Sequence, residues 1–387
     1  MEPEMQPPQE TAPEGPGAPL VPEPGGDGAG EIEYRGLRWI FIGGQGLRAG
    51  WSVFLFILLT AFFLSAMAMV VRMATGHGRH ARPTGLSPLT ALVAEGVSLL
   101  AILCAGALLA LIERRGILDY NLRGPRRAAH FLAGLATGFL ALSALVGTLA
   151  WGGWLHFGPL ALSGTQILGF GALWGAAFLL TGFFEEGSFR CYLQYTLTRG
   201  INFWWAVGIV AALCLAVTLR DKGNGVWGVY LMALLGVLPC LILHVKRAPG
   251  SGFWQAAWVT STFFGFLHTG NTGENWIGIA AAGAIGFVFC VSVWVTGSAW
   301  WAIGCHAAWD WAETYFYGTA DSGLVPKGHL LTSTPAGNPF WSGGADGPEG
   351  SVLVFAVILL LLLALIAIYG RRRPAETAIA ESQQPAE

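Results

Sequence analysis

"QILGFGALWGAAFLLTGFFEEGSFRCYLQ", Gln166 to Gln194, opens as an apolar run and closes on two adjacent carboxylates and an arginine. Two questions follow: what solvent the segment lives in, and why it carries ions there. Across the 387 residues 54% are hydrophobic and only 11% are charged, a membrane protein's composition. Crossing the hydrocarbon takes about 20 apolar residues per helix. Apolar windows of that order run over 51–72, 88–112, 130–154, 166–184, 202–219, 226–245, 254–268, 275–296, 298–316 and 351–369. Backbone groups in lipid must bond within their own segment or in a closed barrel. The runs are uninterrupted and lack a barrel's alternation, so the expectation is an all-α, polytopic transmembrane helical bundle of about ten helices.

The flanks are of other kinds. Residues 1–48 read as an acidic Pro/Gly-rich tail, whose first 33 residues hold no basic or aromatic side chain and cannot bury enough to order themselves. Residues 49–316 read as the membrane domain, 317–350 as a Gly/Pro-rich loop in which "NPFW" can touch the membrane surface, 351–370 as a last membrane helix and 371–387 as a polar tail. The first apolar core is long enough to stay as a helix, so no cleaved leader is expected. No internal repeat is visible. The six cysteines are scattered singly through apolar segments and read as small core residues rather than as a disulfide or zinc framework.

A net charge of −2 points to no nucleic-acid partner, and the distribution of charge is the informative part. Arginines gather in "ERRGILDYNLRGPRR" (Glu113 to Arg127) and at Arg371, Arg372 and Arg373. The positive-inside rule then puts both termini in the cytoplasm and the charge-poor connection at 158–165 outside, although the basic first loop "GHGRHARPTG" (Gly76 to Gly85) also falls outside.

The ions of the opening stretch need partners. Glu186 and Arg190 are four apart, share a helix face and can pair, whereas Glu185 points about 100° away toward another neighbour. A charge at membrane depth costs at least about 2.5 kcal/mol. Alone, this segment is as well read as a helix ending at the interface with an ordinary salt bridge. Two later segments shift the balance. "FFGFLHTGN" carries Phe264 and His268 at i, i+4 with Asn271 beyond, and "GCHAAWDWAE" carries His306 and Asp310 at i, i+4 with Glu313 further on. One histidine on an apolar face is more often a hydrogen-bonded core residue than a ligand. Three helices that each bring a carboxylate or an imidazole into apolar surroundings are satisfied most economically in one polar cavity. Such a cavity suits hydrolysis, with a partly desolvated Glu as base and an imidazole stabilising an oxyanion. Equally, Glu185, His268, His306 and Asp310 can be drawn as ligands of Zn²⁺ with an open water position. Glu95, a membrane carboxylate outside the three motifs, reads as a packing or cavity-lining group. His130, His156 and His244 lie at helix ends with no role assigned.

The three motifs, EExxxR, FxxxH and HxxxD in that order on membrane helices, resemble the CPBP (CAAX protease and bacteriocin-processing, or Abi) family of intramembrane proteases, and type II CAAX prenyl endopeptidases within it. The resemblance covers about 85–316. It implies that Glu185 activates water, that His268 assists, that His306 with Asp310 lines the oxyanion or metal site, and that Glu186, Arg190, Phe264 and Asn271 support the structure. It implies membrane-associated peptide substrates, prenylated CAAX tails among them, lipid as surroundings and a multi-pass place in a membrane, which the Gly/Ala/Trp-rich composition suggests is a bacterial inner one. Many members have Asn where this chain has Asp310, and an ionised carboxylate cannot donate to an oxyanion. A carboxylate suits metal ligation, or orientation of His306, which tilts the reading toward metal. The competing reading is a non-enzymatic protein of the same fold, either a proton or ion carrier or a scaffold or immunity protein. Carriers often show two related halves, and none is visible here.

Overall fold

The computed structural model describes residues 38–43, 46–75, 86–220, 226–271 and 273–370. The polar C-terminal tail, the basic loop at 76–85 and residues 1–37 of the acidic tail lie outside the described residues. Ten principal helices follow one another: α1 (Ala49–Thr75), α2 (Pro88–Glu113), α3 (Arg127–Trp151), α4 (Thr165–Glu186), α5 (Phe203–Arg220), α6 (Val226–Lys246), α7 (Ser251–His268), α8 (Trp276–Thr296), α9 (Trp300–Trp311) and α10 (Val354–Tyr369). Helix α4 continues through a π-helical stretch, Gly187–Leu193, into a last turn at Gln194–Thr198, and α9 ends in a π-helical stretch at Ala312–Tyr317. Among the described residues seven helices are long and apolar enough to cross a membrane, so the chain is a polytopic helical bundle. The three that miss that test are α7, α9 and α10. The first two carry the histidine motifs, and Gln255, Thr260, Ser261 and Thr262 of α7 are buried inside the bundle.

Position in the bundle follows from side-chain size and solvent. Helix α1 is peripheral: only 6% of its apolar window is buried, and Phe54, Leu58, Phe62, Met69 and Met73 face outward, where lipid rather than protein covers them. Helix α9 is central and packs most extensively against α3. A Cβ on Gly134 would collide with the Trp301 carbonyl, one on Gly138 with the Cys305 carbonyl, and one on Gly304 with the Phe131 carbonyl. These small residues, four apart on α3, let two backbones touch, which is how helices associate where no hydrophobic force separates protein from lipid. Gly182 of α4 meets the Ile303 carbonyl in the same way. The helix that carries His306 and Asp310 is thus held on two sides by backbone contact.

The connection at 318–353 is more ordered than a Gly/Pro-rich loop suggests. It contains β2 (Leu331–Pro335), a short helix at Pro339–Ser342 and a 3₁₀ turn at Pro348–Gly350. Strand β2 pairs antiparallel with β1 (Leu155–Leu160), from the stretch between α3 and α4, with His156 opposite Thr334. Trp341 of the "NPFW" stretch stacks on Trp154 at 5.3 Å while Phe340 is exposed. All six cysteines are free; five are buried and Cys104 is half-buried.

Candidate active site

The EExxxR segment sits where α4 turns π-helical, and π-bulges are frequent at functional sites. Glu186 and Arg190 are both fully buried and paired, with Nε to Oε2 at 3.1 Å and Nη1 to Oε1 at 3.3 Å. The guanidinium also lies 4.5 Å from the ring of Phe264, 5.3 Å from that of Phe289 and 5.6 Å from that of Phe189. Aromatic faces compensate a desolvated cation, so this membrane charge is held by one carboxylate and three rings. Close approach of α8 is needed as well: a Cβ on Gly286 would lie 2.6 Å from Arg190 Nη2.

Glu186 does more than balance Arg190. Its Oε1 is 2.8 Å from His306 Nδ1. An ionised carboxylate only accepts, so Nδ1 carries the proton and donates. This fixes the ring, and Nε2 faces Glu185 Oε2 at 3.7 Å and Asp310 Oδ2 at 3.5 Å. The expectation of Glu186 as support only is therefore too narrow: it positions an imidazole directly. Phe289 stacks on the His306 ring at 5.7 Å, and Phe264 meets it edge-on at 6.1 Å. His268 is oriented by its own helix, its Nδ1 donating to the Phe264 carbonyl at 2.9 Å, which leaves Nε2 for other partners. Phe264 thus packs on Arg190 and on His306 and sets His268.

Glu185, His268, His306, Asp310, Phe264 and Asn271 all line one cavity of about 260 Å³. Asn271 donates to Glu274 at 2.7 Å. Glu95 lines the same cavity, with a buried Oε2 that has no hydrogen-bond partner. Asp321 and Glu349, both from the connection after α9, complete its acidic wall. Thr314 Oγ1 donates to Asp321 at 2.7 Å, and Trp309 Nε1 donates to Glu349 at 2.6 Å. These two carboxylates and Phe289 escape a reading of the sequence. Acids in a Gly-rich loop look like solvated turns, and a Phe inside an apolar helix carries no signal of its own.

The four side chains that the sequence offers as Zn²⁺ ligands do not form a ligand set as they stand. His306 has committed Nδ1 to Glu186, and no three His, Cys, Asp or Glu side chains among the described residues are grouped so as to hold a metal ion. The protein's own groups carry acid–base chemistry as they stand. What they can do is specific: a carboxylate beside a cavity can take a proton, and an imidazole of fixed orientation can donate or accept one at Nε2.

Compared with known families, residues 240–312 match the model for Rce1-like type II CAAX prenyl endopeptidases, consistent with a CPBP-family protease. The match contains Phe264, His268, His306 and Asp310 and stops short of the EExxxR segment. No curated protein and no solved structure matches.

Proposed function

We propose that this protein is an intramembrane endopeptidase acting on membrane-associated peptide substrates, with the prenylated CAAX tails of the matched family as one class. The observation that carries the proposal is the array Arg190–Glu186–His306, which aims Nε2 of a membrane-buried imidazole at a second carboxylate, Glu185, inside a cavity. A purely structural salt bridge would not need the second carboxylate or the cavity.

In this mechanism Glu185 takes a proton from a water molecule in the cavity, and the resulting hydroxide adds to the scissile carbonyl carbon. His306, charged between Glu186, Glu185 and Asp310, donates from Nε2 to the oxyanion. His268, whose Nε2 is uncommitted, holds the water beside Glu185. When the tetrahedral intermediate collapses, the C–N bond breaks and the proton on Glu185 passes to the leaving nitrogen. The products are a carboxylate and an amine. Asp310 keeps His306 charged from the next turn of α9 and need not touch the substrate. The test is cleavage of a membrane-peptide library by purified protein beside its Glu185→Gln variant: products that appear with the first and not with the second support the proposal, and no cleavage by either in several lipid compositions removes it.

A further inference from the structure

Helices α4 and α9 run antiparallel, with Gly171 beside Trp311 at one end and Glu186 beside His306 nearer the other. A hydrogen bond of 2.8 Å between side chains on two such helices is lost if either slides by about 1 Å along the other. Their relative height must therefore be fixed. At the first end the tie is direct, from Trp311 Nε1 to the Gly171 carbonyl at 2.9 Å. At the second end it runs through a third segment, the connection between α2 and α3. Asn121 donates from its side chain to the Arg190 carbonyl at 2.7 Å, and its own carbonyl accepts from the Ala299 N–H at 2.9 Å. One residue thus joins the EExxxR turn to the start of the helix that bears His306 about two turns further along.

The surroundings hold Asn121 in place. Its backbone is left-handed, with φ of 54°, a conformation that asparagine tolerates better than most residues. Beside it Trp300 Nε1 donates to the Leu122 carbonyl at 3.0 Å, and a Cβ on Gly124 would lie 2.9 Å from that of Ser298, so the connection rests directly on the approach to α9. On the α4 side, the buried rings of Tyr120 and Tyr192 lie 4.9 Å apart, and their hydroxyls donate to Glu113 at 3.3 and 3.5 Å. Glu113 also accepts from Ser52 at 2.6 Å and pairs with Arg199 at 3.3 Å. This carboxylate does not line the cavity; it pins the connection, the end of α2 and the π-helical stretch to one another.

We propose that Asn121 is a positioning residue for hydrolysis: by joining the Arg190 carbonyl to Ala299 it fixes the height of α9 against α4, and with it the bond from Glu186 to His306 and the approach of Nε2 to Glu185. Arg190 stands at the centre of this linkage, its guanidinium paired with Glu186 and its carbonyl held by Asn121. Asn121 acts only through the two helices it joins. The tie itself stands on geometry; its bearing on hydrolysis rests on the proposed function.

Two variants remove the donor and keep the backbone. Asn121→Gly adopts the left-handed conformation freely, and Asn121→Asp keeps the size but has no N–H to donate. Arg123→Ala, on the same connection with its side chain 70% exposed, is the control. Both Asn121 variants should lower kcat on a cleaved membrane peptide about tenfold or more, since a misplacement of about 1 Å can cost about a hundredfold. KM should stay within about twofold of the parent, and the control should match the parent in both. An unchanged kcat, or a fall that Arg123→Ala reproduces, overturns the proposal. A second readout does not depend on cleavage. In protein labelled at histidine nitrogen, the proton on His306 Nδ1 gives a hydrogen-bonded imidazole resonance, assigned by its loss in His306→Gln. That resonance should shift in both Asn121 variants and stay in place in Arg123→Ala; its constancy in the Asn121 variants overturns the proposal. Should the parent cleave no peptide, the proposed function fails and this resonance alone decides whether Asn121 sets the pair. Should the Asn121 variants not accumulate, Trp300→Phe removes the neighbouring tie to Leu122 and keeps a ring against Phe131 and Phe183. A shifted resonance in that variant supports the proposal, and an unshifted one overturns it.

Discussion

Glu185 and Glu186 are neighbours in sequence with opposite physical fates, and substitution should separate them. Glu185 is partly open to the cavity, so Glu185→Gln keeps size and polarity and removes only the base; hydrolysis should fall to background while thermal stability of the detergent-solubilised protein stays near that of the parent. Arg190→Ala strands Glu186 as an unpaired buried charge, a defect of about 3–5 kcal/mol, and should appear as lost folded yield. Equal destabilisation by both would make the whole cluster structural. Glu186→Gln is the more informative variant. An amide can present its nitrogen to His306 and cannot hold the imidazolium, so kcat should drop steeply with KM little changed. Asp310 decides the question of metal. With no three-ligand set as the side chains stand among the described residues, Asp310→Asn should lower kcat because the amide no longer helps to keep His306 charged, and chelators should have no effect. About one tightly held metal per purified chain, lost in that variant together with activity, would restore the metal reading that a carboxylate at this position suggests.

At the scale of elements, the glycines of α3 set how closely α9 approaches, and Gly138→Leu should cost about 1–3 kcal/mol through overpacking. The loss should appear in stability and activity together, since His306 moves with its helix. The cap at 318–353 obeys a different control. Burial pushes the carboxyl of Asp346 up from 3.8 to about 6, against the Asn275 N–H that favours its charged form, and burial pushes Glu274 up from 4.5 to about 8. An undocked cap gives up these protons at the lower values and a docked one keeps them. Docking stability is therefore fully present below pH 3.8 to 4.5 and is lost as pH rises through about 6 for Asp346 and about 8 for Glu274. Tryptic cutting after the exposed Lys327 should accelerate over that range, and Asp346→Asn should flatten the lower part of the change. The helices and three motifs were legible in the sequence because hydrocarbon thickness imposes long apolar runs and i, i+4 spacing survives without tertiary knowledge. Strand β1 was not legible, since its partner β2 lies far along the chain and no local turn announces the pair. Nor was the bond from Glu186 to His306, because spacing places a side chain on a face and says nothing of which neighbouring helix meets that face.

For the whole molecule, the cavity wall is rich in acidic side chains. Glu95, Glu185, Asp310, Asp321 and Glu349 line it beside two imidazoles, and among the described residues no lysine or arginine does. In a low-dielectric wall those of the set that are ionised raise the local concentration of cations and repel anions, while burial pushes the carboxyls of Asp321 and Glu349 up toward the neutral form. Peptides with Lys or Arg beside the scissile bond should be cleaved with a kcat/KM about tenfold above Asp-containing counterparts, equivalent to about 1.4 kcal/mol. The preference should shrink as salt is raised, because ions in the surrounding water screen a summed field. Glu349→Gln separates this field from catalysis, since its amide oxygen can still accept from Trp309 Nε1 and the residue lies outside the reacting groups. That variant should lose part of the charge preference through KM and keep kcat on neutral peptides. A preference that ignores both salt and Glu349→Gln would mean that contacts specific to the side chain, rather than the summed charge of the cavity, select the substrate.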